Sequence, residues 1–389
     1  MREKYVIFGA GKAGADVVSG LLKRGIKPAY FVDNNKDSCD GIHIRLPEVL
    51  KEEIPEHLRI IVSPGYPHNE SIIKQLCDMG LEGCIVPAKV RIDASTLCNL
   101  KCKSCQYHTP GPDIILGKGY LKHGDFAQFV ETHPYVSSVE LANKGEIFLN
   151  PELPNIIRCA YDHGVTLTAN SGTNFNYVSD EALEALVVYQ FSSLTIAFDC
   201  SSPQTYSKYR HNGDFEYVIE NVRRLNRMKA KHQSAKPELI YQFILMEHNE
   251  HEVSAAKAFA QELDMKISFK LTWEAGYTPA NPERLKQETG LSELSREAFF
   301  ERHRYPYTAY ICTQMWQMPA INYDGRIFGC CINTRHAYEG NAFTDGLERV
   351  LHTPSYLNAK KTQTGLPCSK CSLAPHNWHW EKWRANDEN

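Results

Sequence analysis

The sequence predicts an α/β protein of three units. These are a small parallel α/β unit over residues 1–88, an incomplete (β/α)6 barrel of TIM type over 89–275, and a small β-hairpin and helix cap over 310–389. Three observations carry this reading. At 389 residues the chain is too long for one ordinary core, since ~150 residues per domain gives two to three. Short apolar runs alternate with amphipathic stretches, first on a short period and then on a longer one, which is the pattern of parallel sheets with crossover helices. From about Tyr310 the texture changes to short strands, turns, cysteines and aromatics.

Composition narrows the class. Hydrophobic residues are 42% and charged residues 23%, a globular balance that excludes wholesale disorder. Lys plus Arg is 43 against 46 Asp plus Glu, a net charge of -3, so no nucleic-acid partner is expected. No run approaches the ~18 apolar residues of a membrane span. The opening MREKYVIFGAGKAG starts as a strand rather than a signal peptide, so a soluble, cytoplasmic protein is expected. Thiols stay reduced there, and thirteen cysteines then point to metal rather than to a disulfide framework.

In the first unit, Tyr5–Phe8 reads as a strand and runs into Gly9-Ala10-Gly11-Lys12-Ala13-Gly14 and a helix to Leu22. A second strand, Ala29–Val32, ends at Asp33, and further strands are expected at Leu58–Val62 and Cys84–Val86. Gly9-x-Gly11-x-x-Gly14 between strand and helix, with Asp33 19 residues beyond Gly14, is a dinucleotide fingerprint. Its glycines serve the turn, the approach of a pyrophosphate and helix packing, and the acid serves a ribose hydroxyl. NAD or another nucleotide is therefore a candidate ligand of Gly9, Gly11, Gly14 and Asp33. About four strands make a small unit, fit for a mononucleotide or a nucleotide-sugar half. A remnant kept for docking is the alternative. The Phe31-Val32-Asp33-Asn34-Asn35 stretch and the segment from Pro47 to Ile60–Val62 resemble the N-terminal Rossmann-like domains of sugar-modifying acetyltransferases and capsular polysaccharide enzymes.

The barrel strands are expected at Val90–Asp93, Val136–Leu141, Val165–Ala169, Leu194–Phe198, Leu239–Leu245 and Ile267–Leu271, with helices over 151–163, 180–189, 215–231 and 250–263. Function in such a barrel gathers on the loops at the strands' C-terminal ends. Residues 276–309 lose the strand alternation and read as a helical linker.

Directly after the first barrel strand comes Cys98-x3-Cys102-x2-Cys105. Three thiolates can hold a [4Fe–4S] cube and leave one iron open. A zinc knuckle completed by His108 is the other reading of the same residues. This loop and the segments C-terminal to it resemble the radical S-adenosylmethionine (radical SAM) superfamily over residues 88–375. There the open iron binds S-adenosylmethionine, and reductive cleavage yields a 5′-deoxyadenosyl radical that abstracts a substrate hydrogen. The resemblance implies cosubstrate contacts from Gly145-Glu146, Asn170-Ser171, Asp199 and the Tyr206-x3-Arg210 element. The aromatic common before the third cysteine is replaced by Ser104, with Tyr107 as its substitute, and the Gly-Glu element continues with Ile147-Phe148 rather than Pro.

A second set is Cys312-x12-Gly325-x4-Cys330, then Cys368-x2-Cys371. A hairpin turning at Asp324-Gly325 brings the first pair together, and four thiolates fully ligate either a cube or a zinc ion. The spacing resembles the auxiliary-cluster twitch module, a shortened SPASM domain, which implies a second [4Fe–4S] cluster. Cys331 competes with Cys330, and the spacing from the glycine favours Cys330. The tail holds Trp378, Trp380 and Trp383, read as packing the terminus.

The resemblance implies an oxidoreductase that abstracts hydrogen from a carbohydrate-like or nucleotide-linked small molecule, in a dehydrogenation or epimerisation. Its electron donor would be a flavodoxin or ferredoxin. A maturase acting on a ribosomal peptide and a non-catalytic metal-binding nucleotide sensor are the alternatives. No proton acceptor stands out among Arg210, His211 and Tyr277.

Overall fold

The computed structural model describes residues 3–35, 38–39, 42–105, 114–274, 276–371 and 373–374. The N-terminal sheet contains β1 (Lys4–Phe8), β2 (Tyr30–Val32), β3 (Ser38–Cys39), β4 (Ile42–Arg45) and β5 (Leu58–Val62), in the order β3-β4-β2-β1-β5. All pairs are parallel except β3 with β4. Val6, Ile7 and Phe8 are buried on both faces, as the central strand of a covered parallel sheet must be. The strand β4 has no counterpart in the sequence expectations. Near Cys84–Val86 only a single bridge forms, Ile85 to Ile60.

The barrel is built from β6 (Lys89–Ile92), β7 (Ser138–Glu140), β8 (Thr166–Thr173), β9 (Ser193–Ala197), β10 (Glu238–Leu245) and β11 (Lys266–Leu271). They are parallel and lie in chain order. Helices 123–132, 153–162, 180–188, 203–209, 215–231 and 253–262 return the chain. Several begin on a side chain that accepts the orphan N–H groups of the first turn: Ser179 from Ala182, Ser202 from Thr205, and Asp214 from Glu216 and Tyr217. Each such cap stabilises by about 1 kcal/mol. The register of β8 against β9 shifts between Ala169 and Thr173, so Asn170–Gly172 leave the ladder. Two helices, 282–289 and 296–303, occupy the expected linker.

The C-terminal hairpin pairs β12 (Ala320–Ile321) with β13 (Ile327–Gly329). It does not stand apart. β12 runs parallel to β6 and extends the barrel sheet to eight strands. Gly325, with φ 86°, makes the turn, where a Cβ would meet Asn341 Oδ1 at 2.1 Å. The N-terminal unit is seated on both other parts. Arg24 donates to the carbonyls of Pro134 at 3.3 Å, His163 at 2.6 Å and Val130, and Trp316 joins the small core of Val6, Phe8 and Val62. Among the described residues no helix is long and apolar enough to cross a membrane.

Candidate metal centres

The loop of Cys98, Cys102 and Cys105 leaves the C-terminal end of β6 and is pinned from outside. Lys101 N–H donates to His211 O at 2.9 Å and Lys103 N–H to Tyr209 O at 3.3 Å. Leu100 is fully buried beneath. Donors from distant elements aim at the sulfurs. Cys98 Sγ accepts from Leu100 N–H and from Asn174 Nδ2, both at 3.5 Å, and Cys102 Sγ accepts from Arg210 Nη1 at 3.6 Å. Burial pushes the Cys98 thiol up to about 12, and Cys102 is also raised by burial, with Arg210 opposing. Half-buried thiols with donors at their sulfurs suit cluster thiolates, whose charge those donors stabilise. The three cysteines therefore fit a cube with one open iron.

Gly145 and Glu146, after β7, are built against this loop. A Cβ on Gly145 would lie 2.3 Å from Ser95 O and 2.7 Å from Leu97 O, and Glu146 N–H donates to Leu97 O at 2.7 Å. The Glu146 carboxylate is buried and accepts from Asn174 N–H at 2.6 Å and Phe148 N–H at 3.3 Å. Burial raises it to about 7 in spite of those donors. Asn170 and Ser171 stand elsewhere. Their side chains are exposed and their N–H groups donate to Glu140 at 2.7 and 3.0 Å. Asn174 takes the position beside Cys98. The signal for it lies in Thr173-Asn174, one β-bulge further along the same segment.

Asp199 follows β9 with φ 58°. Its carboxylate pairs with the buried Arg210 and accepts Ile244 N–H at 2.8 Å. Asp199, Arg210 and Cys102 thus form a line from the barrel rim to the cysteine loop. Of the other proton-acceptor candidates, Tyr277 donates to Glu250 at 2.5 Å and His211 is exposed. Tyr107 and His108 lie outside the described residues, as do the three tail tryptophans.

Cys312, Cys330, Cys368 and Cys371 line one cavity of about 670 Å³, and Ser104 and Cys105 of the first loop line it too. Burial pushes Cys330 up to about 12 and Cys368 to about 11 and raises Cys312 and Cys371; neighbouring thiols add to each, while the Leu373 and Ala374 backbone opposes the rise at Cys371. Among the described residues no three His, Cys, Asp or Glu side chains converge on a single-ion site. The thiols are spread round a wall, a donor set that fits the corners of a cube. Cys331 points away, its thiol bonded to Arg91 and its carbonyl accepting from Asn143 at 3.3 Å. Lys144 Nζ donates to Asn333 O at 2.7 Å and lies 4.4 Å from the Phe328 ring, tying this loop to the barrel.

The glycine loop turns its polar groups inward. Asp33 accepts Ala10 N–H at 2.8 Å and Asn35 N–H at 2.9 Å. Gly9, with φ 104°, has Pro64 2.6 Å from where a Cβ would stand, and Gly14 has Gly9 O at 2.1 Å. Beside them Gln317 Nε2 donates to Val62 O at 2.8 Å and Pro64 O at 2.7 Å, and its carbonyl accepts from Asn69.

Residues 312–372 match SPASM, an iron-sulfur cluster-binding domain. In fold the chain is similar to Streptococcus suis SuiB bound to S-adenosylmethionine, at a TM-score of 0.55 and 14% identity, over 79% of this chain and 75% of that one. SuiB bound to precursor peptide SuiA aligns with a TM-score of 0.55 and 14% identity, over 79% and 74%. BtrN in complex with AdoMet and 2-DOIA is more distant, with a TM-score of 0.42 and 12% identity over 74% and 92%. No curated protein matches the chain by sequence. The fold and the second cysteine set define the class, a protein of radical SAM fold with a SPASM domain. This chain departs from a bare pairing of those parts in carrying a glycine-loop α/β unit in front of them.

Proposed function

We propose that this protein is a radical SAM oxidoreductase that removes hydrogen from a carbon of a polar, carbohydrate-like or nucleotide-linked small molecule. The observation that carries the reading is the single cavity joining Cys105 of the first loop to all four cysteines of the second set. When bound, a cluster on Cys98, Cys102 and Cys105 with S-adenosylmethionine supplies hydrogen abstraction, and one on Cys312, Cys330, Cys368 and Cys371 supplies electron transfer.

The chain's own residues do the positioning. Asn174 and Arg210 hold Cys98 and Cys102 by their sulfurs, and Glu146 holds the Asn174 backbone. Gly145 lets the second loop lie against the first. Lys144 and Arg91 fasten the Cys330–Asn333 segment to β6 and the β7 loop, so the two cysteine sets keep a fixed separation. Gly145, Glu146, Asp199 and Arg210 are the cosubstrate contacts of this reading. A flavodoxin or ferredoxin would supply electrons. The N-terminal unit serves in this reading as a seat for the segment after Cys312, because Gln317, five residues past Cys312, bonds to the Val62 and Pro64 carbonyls at the end of β5.

A second reading has one observation in its favour. SuiB, whose fold the chain shares, is seen with a precursor peptide, so a peptide substrate is the competing class. The test is anaerobic reconstitution with iron, sulfide and S-adenosylmethionine. About eight irons per chain and 5′-deoxyadenosine on adding dithionite are expected. Four irons would remove the second cluster, and no cleavage would remove the enzyme reading.

A further inference from the structure

At the C-terminal ends of the barrel strands lies a cation whose use the fold does not explain. Lys270, near the end of β11, is only partly exposed, and its ammonium donates to the Gln242 Oε1 of β10 at 2.7 Å. Among the described residues no carboxylate comes within 4 Å of it. The carboxylates that act on it across the barrel are Asp199 and Glu140. Both are committed elsewhere: Asp199 to Arg210 and Ile244 N–H, Glu140 to Thr168 Oγ1 at 2.6 Å and the N–H groups of Asn170 and Ser171.

Removing an ammonium from water without an anionic partner is costly, and among the described residues one neutral amide engages only one of its three donors. Lys270 keeps part of its surface open to solvent, and Gly172, in the β8 bulge, faces Gln242, where a Cβ would stand in ordinary contact, 3.4 Å from the amide oxygen. A ligand entering at the strand ends therefore meets a fixed ammonium beside an amide that can also turn its NH2 outward. That pair recognises an oxyanion.

Resting on the radical SAM reading and deepening it, we infer that Lys270 and Gln242 form the substrate's anion subsite, so that the substrate carries a carboxylate or a phosphate. Lys270 is a specificity residue in this assignment. It takes no part in cleaving S-adenosylmethionine.

The test uses the reconstituted full-length protein with S-adenosylmethionine bound, titrated calorimetrically with inorganic phosphate and, separately, with acetate. Saturable binding of one of them is expected, and which one tells phosphate from carboxylate. Lys270→Met should weaken that binding about tenfold or more, and Lys270→Arg should retain most of it. Affinity for S-adenosylmethionine and the dithionite-driven yield of 5′-deoxyadenosine should not change in either variant. Should Lys270→Met fail to fold, mass spectrometry of wild-type protein treated with acetic anhydride replaces it: the binding anion should protect Lys270 from acylation. Equal binding by wild type and Lys270→Met, no saturable binding of either anion, or no protection overturns the assignment. Loss of cleavage in the wild type overturns the enzyme reading instead, and leaves the anion result to stand or fall alone.

Discussion

The glycine loop after β1 and the cysteine loop after β6 are similar objects put to opposite uses. Each follows the first strand of a parallel sheet, each is spelled by a spaced motif, and each is pinned by residues distant in sequence. In the glycine loop the pinning groups consume the motif. Asp33 takes the Ala10 N–H, Pro64 closes on Gly9, and Gln317 bonds to the Val62 and Pro64 carbonyls beside them. In the cysteine loop the distant groups serve the motif, because Asn174 and Arg210 point their donors at sulfur. Motif spacing thus encodes a backbone shape. Whether that shape faces a ligand is decided by partners far away in the chain.

The sharpest way to break the comparison is at the cysteines. Cys102→Ala should abolish 5′-deoxyadenosine formation, a loss of at least about a thousandfold, since removing a ligand leaves the cube unsupported. It should retain about four irons at the SPASM set. Retained cleavage, or loss of all iron, would mean that the two sets are not separate centres.

Next in size is the buried pair behind the loop. Arg210→Met leaves Asp199 buried without its cation, and breaking such a pair costs about 3–5 kcal/mol. Urea denaturation of the metal-free protein measures this. Asp199→Asn with Arg210→Met should recover a large part of the loss, because both charges are then gone. No recovery would mean that Arg210 acts chiefly on Cys102.

A smaller effect tests the N-terminal seat. Lys360 is buried with its ammonium 4.1 Å from the Trp316 ring. Burial lowers it to about 7; Cys77 and Glu82 oppose that shift and Lys361 adds to it. Unfolded, a lysine titrates near ~10.4. Between those values the unfolded chain binds the extra proton, so stability should rise with pH from about 7 towards 10. Lys360→Met should remove that rise and be more stable below pH 7 by about 1–2 kcal/mol. The two proteins compared by urea denaturation from pH 6.5 to 9 give the answer, since all other titrating groups cancel.

What the sequence makes legible follows the same division between local and distant. All six barrel strands and the helices 180–188 and 215–231 are readable because apolar runs and caps are local. Gly145 and the cysteine spacings are readable for the same reason. The β4 strand is not, since Ile42 and Ile44 are its only apolar residues and no apolar run marks it. Asn174 escapes sequence reasoning because a bulge in β8 moves the useful Thr-Asn pair four residues along. That the hairpin continues the barrel sheet through β6 cannot be read from either segment alone. Lys270 carries no motif at all. Its interest lies in having no carboxylate partner among the described residues, which only the folded arrangement defines.

The smallest effect bears most directly on the glycine loop. If Asp33 is a cap on Ala10 and Asn35, Asp33→Ala removes two acceptor bonds and costs about 1 kcal/mol, while Asp33→Asn, which keeps an acceptor oxygen, costs less. If it instead held a ribose, the variants would differ little in stability and greatly in NAD affinity. Calorimetric titration of wild type with NAD, beside thermal denaturation of both variants, separates these outcomes. We expect no saturable NAD binding and a graded loss of stability, Ala beyond Asn. Micromolar NAD binding abolished in Asp33→Ala would return the loop to the role its spacing first suggested.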